Sequence, residues 1–289
     1  MSTNFGAPDH QAQAPAPTGL QTFTRYITQD STRRYLQKAL DTQAASFTAN
    51  VIALVNNSPL LQKCDPVTVM FAAMKATALK LPLDQSLGYA YVVPYKGLAQ
   101  FQIGWRGFIQ LAIRTNLYEQ INVRDVRQGE VVGEDFVSGD MQFAPLPPDV
   151  RSQYPVVGYL AFFKLTNGFK KQSFWTLQEI TEHAQKFSKT YNSQGGVWQS
   201  NFDAMAKKTV LKLLISRFGP TSVEMQNAMS SDQAVLTEGA RTYVDNRGET
   251  YTDETTVVAE DAPEDGQNED AARVMAAAAE AEKRAAGLK

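Results

Sequence analysis

The spacing of apolar residues changes character several times along the chain, and each change marks an element. From Ser31 to about Asn57, Tyr35, Leu36, Ala39, Leu40, Phe47, Val51, Leu54 and Val55 recur at helical intervals and predict one long helix. Asp65 followed by Pro66 reads as an N-cap and first helical residue, opening a second helix to about Lys80. The pattern then shortens to aromatic and β-branched runs at Gly88–Pro94 and Leu98–Ile103, with Tyr-Lys-Gly between them, which predicts a hairpin. Gly104–Thr115 returns to helix. Segments near 118–127, 155–166 and 169–176 read as strands, the last two joined by Asn167-Gly168, a strong short-turn signal. Thr176-Leu-Gln-Glu179 is a capping box for a helix to about Phe187, and a longer helix runs from about Asn201 to Phe218 before Gly219-Pro220.

These elements imply an α+β fold, a small antiparallel sheet packed with helices. Residues 1–22, rich in Ala, Pro, Gln and Gly without periodicity, read as a flexible leader. Residues 23–230 form the core. Residues 231–289 read as an acidic, mostly disordered tail with an Ala-rich helical patch at 271–286.

Charge sharpens that division. The chain has 289 residues and a net charge of -2, but residues 231–289 hold 14 acidic and 6 basic side chains against 16 and 22 in residues 1–230. A basic body with an acidic tail suits a nucleic-acid protein whose tail competes with the ligand or docks a partner, although an acidic tail also serves solubility alone. A tail of that kind can be removed with DNA binding unchanged or tighter. Mean hydropathy is -0.31 and no apolar run reaches the length of a membrane span. The N-terminus lacks the pattern of a secretory signal, so a cytoplasmic location is expected. One cysteine, Cys64, and two distant histidines, His10 and His183, exclude an intrachain disulfide and a His-rich or multi-thiolate metal site.

Catalytic signatures are missing. There is no Walker-type phosphate loop, GxGxxG or HExxH, and no lysine has an acidic residue two positions before it, as a restriction-type nuclease requires. Glu130, Glu134, Asp135 and Asp140 could be imagined as a metal site, but their Gly-rich, Pro-flanked context reads as a solvated loop. His183 sits between charged helix neighbours and reads as solvated or facing DNA.

Donors without acids are present instead. On the wheel of helix 104–115, Arg106, Gln110 and Arg114 oppose the apolar side, free to meet phosphates. On helix 201–218 an apolar arc covers over half the wheel and leaves a stripe of Lys208, Thr209, Lys212 and Ser216; alanine at Lys208 or Lys212 is expected to flatten the salt slope of DNA binding. Lys207 points into the arc beside Asp203, either as a structural pair or lining a cleft. Lys186 and Lys189 precede a loop ending near Trp198. The hairpin sets Gln100 and Gln102 on one face beside Lys96, Tyr89, Tyr91 and Tyr95, a mixture suited to a single nucleic-acid strand. Phe101 and Trp175 read as core, and Trp105 fits either role.

The blocks CDPVTVM at 64–70 and ATALKLPLDQSLGYAYVVPYKGLAQFQIGWRGFIQLAIRT from 76 to Thr115 resemble the core of the RecT family of phage single-strand annealing proteins. FWTLQEITEHAQKFSKT (174–190) and VWQSNFDAMAKKTVLKLLISRFGP (197–220) carry the same resemblance, which covers about residues 64–220. It implies a protein that binds single-stranded DNA and anneals complementary strands without ATP or another cofactor, with Mg²⁺ at most modulating DNA binding. It implies homo-oligomeric rings or helical filaments holding DNA in a basic outer groove and working in phage-type homologous recombination and repair, inside a bacterial host. It also implies a 5′→3′ exonuclease partner and a host single-strand-binding protein recognised through the C-terminal region. The family's basic and polar positions fall here on Lys96, Gln100, Gln102, Arg106, Lys186, Lys189, Lys207, Lys208, Lys212 and Arg217. Leu98 departs from the pattern, since an arginine can stand there. A passive single-strand coat without annealing activity is the alternative, and a metal-dependent nuclease built on the 130–140 loop a weaker one.

Overall fold

A computed structural model describes residues 18–189, 191 and 196–243. Local chemistry explains the helical start. Thr18 and Gln21 form a reciprocal capping box, so helix α1 (Gly19–Thr28) begins inside the segment read as leader, and it buries Phe23 and Ile27. The long helix expected from Ser31 to Asn57 is two helices, α2 (Asp30–Leu40) and α3 (Ala44–Asn56). They are split by a 3-10 turn at Asp41–Gln43, where Asp41 has a φ of 46°. Periodicity carries across such a break because the turn keeps nearly helical spacing. Helix α4 (Pro66–Ala78) starts as expected, with Asp65 Oδ1 accepting from the Val67 N–H at 2.8 Å.

Strands β1 (Ala90–Tyr95) and β2 (Leu98–Ile103) form the predicted hairpin, Tyr95 opposite Leu98. Its two-residue turn, Lys96-Gly97, has both φ values positive, the geometry whose twist suits tight hairpins. Helix α5 (Trp105–Ile113) packs so tightly on the preceding loop that a Cβ on Gly107 would stand 2.1 Å from the Tyr89 carbonyl oxygen. Strand β3 (Tyr118–Arg127) is followed by a small hairpin of β4 (Val131–Glu134) and β5 (Met141–Phe143), and by the short helix α6 (Pro148–Arg151). Strands β6 (Val156–Leu165) and β7 (Lys170–Thr176) turn at Gly168, and α7 (Leu177–Phe187) opens on the Thr176–Glu179 capping box. After the one-turn α8 (Val197–Ser200), helix α9 (Phe202–Phe218) crosses the core, and α10 (Val223–Met229) leads to β8 (Ala234–Thr237) and β9 (Ala240–Thr242).

The strands fall into three antiparallel sheets rather than one: β1-β2-β8-β9, β3-β6-β7 and β4-β5. One hydrophobic core joins the first two with the helices, from Phe23 to Leu236. Helix α9 is its axis, packed against α5, β3, β6 and β7 and buried from Met205 to Ile215 apart from Lys207.

The boundary placed at residue 231 is also corrected. Asp232 lies wholly inside the fold, and Ala234 and Val235 pair with Phe101 and Gln100 of β2. The composition shift is real further along, but these residues close a sheet first. The Ala-rich patch at 271–286 lies outside the described residues. A chain ending at residue 230 loses Asp232 and β8, so its removal is no longer expected to be harmless. Its urea midpoint should fall by the equivalent of about 3–5 kcal/mol, the cost of stripping a partner from buried charges. A chain ending at 243 should melt like the full protein; equal stability of the two truncations would count against this boundary.

Candidate nucleic-acid interface

Residues predicted to bind DNA separate in the structure into those that are exposed and those that hold the fold. Helix α9 shows the division best. Its stripe does not face water: Lys208 and Lys212 are 5% and 6% exposed. Lys208 Nζ lies 2.8 Å from Asp232 Oδ1 and Lys212 Nζ 3.2 Å from Asp232 Oδ2, and the Ile103 N–H also donates to Oδ1 at 2.9 Å. The two lysines tie α9 to the end of β2 through a carboxylate from the segment read as tail. Their expected effect on the salt slope is therefore replaced by an effect on stability. Burial acts to raise the carboxyl pKa of Asp232, but Lys208, Lys212 and the Ile103 N–H together pull it below the usual range.

Two more predicted contacts are internal, and a third, though exposed, is tied to the fold. Gln100 and Gln102 are buried because β2 is a central strand between β1 and β8, covered on both faces. Leu98, where an arginine can occur, is buried against Val235. Arg114 is engaged: Nη1 donates to the Leu79 carbonyl at 2.6 Å and Nη2 to the Lys80 carbonyl at 2.8 Å, closing the C-terminal end of α4, while Glu224 of α10 lies at 3.5 Å. The acid that its own helix lacks comes from another one. Gln110 is half-buried.

The acidic 130–140 segment likewise contains more structure than a solvated loop. Glu130 is buried and accepts from Arg151 Nε and the Arg127 N–H, both at 2.7 Å; Asp125 accepts from Arg127 Nε at 2.8 Å and from Arg151 Nη1 at 3.1 Å. These carboxylates are neutralised by arginines, not gathered for a cation. Among the described residues no cluster of three or more His, Cys, Asp or Glu could hold a metal ion, and no helix is long and apolar enough to cross a membrane. His183 is neither catalytic in setting nor fully solvated: it packs between the rings of Trp175 and Phe187, with centroids at 5.5 and 4.6 Å.

Two of the predicted cations, Arg106 and Lys207, meet at one indole. Helix α5 packs on α9, and this seam brings Arg106 and Lys207 to the same indole, that of Trp105. The Arg106 guanidinium stands 5.2 Å and the Lys207 ammonium 5.8 Å from the Trp105 ring centroid, within cation–π range of the same ring. Of the two alternatives for Lys207 the structural pair is formed: its Nζ lies 2.8 Å from Asp203 Oδ2, with 17% of the lysine side chain exposed. Arg106 is exposed, its Nη1 reaching the Leu87 carbonyl at 3.4 Å. Behind it, a Cβ on Gly88 would meet the Tyr91 hydroxyl at 3.1 Å and Arg106 Cδ at 3.5 Å, and Gly88 has a φ of 69°. Glycine is needed there to let the tyrosine and arginine close around the turn.

Other predicted cations are exposed but separate from that pair. Lys186 lies 5.2 Å over the Phe187 ring, Lys189 follows it, Lys96 caps the hairpin 5.5 Å over Tyr95, and Arg217 ends α9.

A model of the RecT family matches residues 45–251. The chain is 40% identical over 219 residues to the uncharacterized protein YqaK of Bacillus subtilis, covering 76% of this chain and 75% of that protein. It is 28% identical over 231 residues to the protein RecT of Escherichia coli, covering 76% of this chain and 84% of the relative. The chain belongs to the RecT family. Membership supports single-strand annealing in recombination as the activity, and the matched span contains every element that builds the seam.

Two outcomes follow from the split between buried and exposed cations. Lys208→Ala should cost about 1–3 kcal/mol of unfolding free energy, a hydrogen bond lost from a buried carboxylate that Lys212 still faces, whereas Arg106→Ala, on the surface, should stay within about 0.5 kcal/mol. Denaturant titrations of both would reverse the assignment if Arg106→Ala were the more damaging. Acid should destabilise the protein too. Asp125, Glu130 and Asp232 have folded pKa values below their ordinary ones, set by burial opposed by their cation partners. The stability they add is whole above the unfolded values of about 4 and is lost as pH falls through the folded ones. Urea midpoints measured between pH 7 and 2.5 should drop only in that acid range; a flat profile would contradict it.

Proposed function

We propose that this RecT-family protein binds single-stranded DNA without sequence preference along the rim where α5 meets α9, and anneals complementary strands without ATP as a multimer. The observation that carries this reading is the Trp105 indole flanked by Arg106 and Lys207. A base stacked on an aromatic ring contributes about 1–3 kcal/mol, and flanking cations neutralise the phosphates beside it. Stacking engages a base through its π-face and leaves its Watson–Crick edge open, so a strand held this way can still be read by its complement. No covalent step is involved; the protein orients one strand and screens the repulsion of the second.

Lys96, Lys186, Lys189 and Arg217 extend the cationic surface in this reading. Nothing at the seam resembles the fork-and-edge arrangement that reads base identity. A 5′→3′ exonuclease would supply the single strands and a host single-strand-binding protein would share them, in the cytoplasm of a bacterial cell.

The test uses two complementary oligonucleotides, one carrying a dye and the other a quencher, with no nucleotide present. Annealing should run well above the protein-free rate, and tight binding without acceleration would leave a passive coat. In binding titrations, Arg106→Ala and Lys207→Ala should each reduce the slope of log affinity against log salt by about 0.7, one phosphate on a single strand. Trp105→Ala should weaken binding by about 1–3 kcal/mol with the slope unchanged. Slopes unaltered by both cation variants would move the DNA away from this seam.

A further inference from the structure

The β3-β6-β7 sheet has two faces of different chemistry. On β6, Tyr159, Ala161 and Phe163 point into the core. The Tyr159 ring meets Phe202 of α9 at 6.5 Å, and Trp175, opposite Tyr159 on β7, meets His183 of α7 at 5.5 Å. Alternation along the strand sends Leu160 and Phe162 to the other face. Both are half-buried and lie outside the hydrophobic core, as does Phe174 of β7. Phe174 lies along the sheet because β6 offers Gly158 beneath it, where a Cβ would stand 2.6 Å from the ring. The Phe143 ring of the β4–β5 hairpin meets Phe174 edge to face at 5.8 Å and closes that end of the face. Gln120, Asn122 and Lys170 leave the other end exposed.

Register sets donors around the outward ring. Asn122, Phe162 and Gln172 stand opposite one another across the three strands. On one side of them is the row Gln120, Lys164 and Lys170, and on the other the row Arg124, Leu160 and Phe174. Strands lie about 4.8 Å apart, so each row is about 10 Å wide. None of the three rows contains a carboxylate. The nearest acids are already matched: Glu119 pairs with Lys164 at 2.7 Å, and Glu130, 3.9 Å from Arg124, is buried against Arg151. A surface pair such as Lys164 with Glu119 contributes little, so a phosphate can take the place of the carboxylate.

Three cations and two amides around an aromatic centre, with no acid in the rows, fit a ligand that carries a negative charge at regular intervals and a flat apolar group between charges. A single nucleic-acid strand is that ligand, since its bases are free to stack on a sheet aromatic while its phosphates take the flanking donors. A duplex hides the faces of its bases.

We infer that this outward face is a second binding surface for single-stranded DNA, with a base on Phe162 and phosphates on Arg124, Lys164 and Lys170. It lies across the sheet from α9 and so is separate from the Trp105 seam. The inference rests on the proposed function for the nature of the polymer and not for its place on the protein. A protomer that keeps one strand at the seam and another on the sheet raises the concentration at which the two meet.

The full chain is titrated with oligothymidylate, which cannot pair with itself, across a range of salt. The double variant Arg124→Gln/Lys170→Gln, at two exposed positions, should melt like the parent and lower the slope of log affinity against log salt by about 1.4, two phosphates on a single strand. Phe162→Ala should weaken binding about five- to 150-fold with the slope unchanged. Both losses should persist in a Trp105→Ala background, where stacking at the seam is gone. Without any variant, irradiating a bromouracil-substituted strand on the parent should attach it within residues 156–176. No crosslink in that span, or a slope unaltered by the double variant, overturns the second surface and leaves the proposed function standing. A slope lowered by the double variant but untouched by Arg106→Ala and Lys207→Ala supports the sheet and removes the seam. A double variant that binds DNA like the parent and changes only the particle size in light scattering makes this face a contact between copies, which also overturns the inference.

Discussion

A single buried carboxylate holds together parts of this chain that are remote in sequence. Asp232 takes the ammonium groups of Lys208 and Lys212 and the backbone N–H of Ile103, a residue 129 positions earlier. Burying ammonium ions is expensive, and the attraction to one carboxylate offsets that cost only when the geometry is tight and further donors satisfy the remaining lone pairs. Removing the carboxylate leaves two ammonium ions stranded in the core. The central helix, the hairpin and the strand that completes the first sheet are therefore fixed relative to one another at this point. Because α5 follows directly on β2 and packs on α9, the same anchor sets the distance between Arg106 and Lys207 across Trp105.

That arrangement explains which parts of the molecule could be read in advance. Elements whose cause is local were legible: the Asp65-Pro66 helix start, the Thr176–Glu179 capping box, the Asn167-Gly168 turn, and strands β3, β6 and β7 within a residue or so. Each depends on side chains that reach backbone groups three or four residues away. The break at Asp41 and the helix capped by Thr18 were not legible, the first because a 3-10 turn barely disturbs apolar spacing, the second because the Thr18 and Gln21 capping box lies in a stretch with the composition of a linker.

The candidate site was harder to read because a helical wheel shows which residues share a face but not what covers it. Lys208 and Lys212 on a carboxylate-free stripe look identical whether water, DNA or Asp232 lies opposite. The acid sat in a segment whose average composition disguised it. Arg114 and Glu130 repeat the lesson, since their partners, Glu224 and Arg151, lie 110 and 21 positions away. The local pattern that did place an exposed cation was the wheel of α5, on which Arg106 opposes the apolar side. Trp105 fits both readings: it packs against the core and has the Lys207 ammonium 5.8 Å from its ring centroid.

The seam at Trp105 and the anchor beneath it respond to solution conditions in different ways. In the proposed arrangement the seam works through cations, and salt competes directly with their phosphate contacts. Asp232 and its two lysines are buried, and buried ion pairs are screened far less than exposed ones. Salt that releases a strand therefore leaves the packing of α5 on α9 in place. Had Lys208 and Lys212 gripped phosphates instead of Asp232, letting go of a strand would have left their charge unmatched inside the fold.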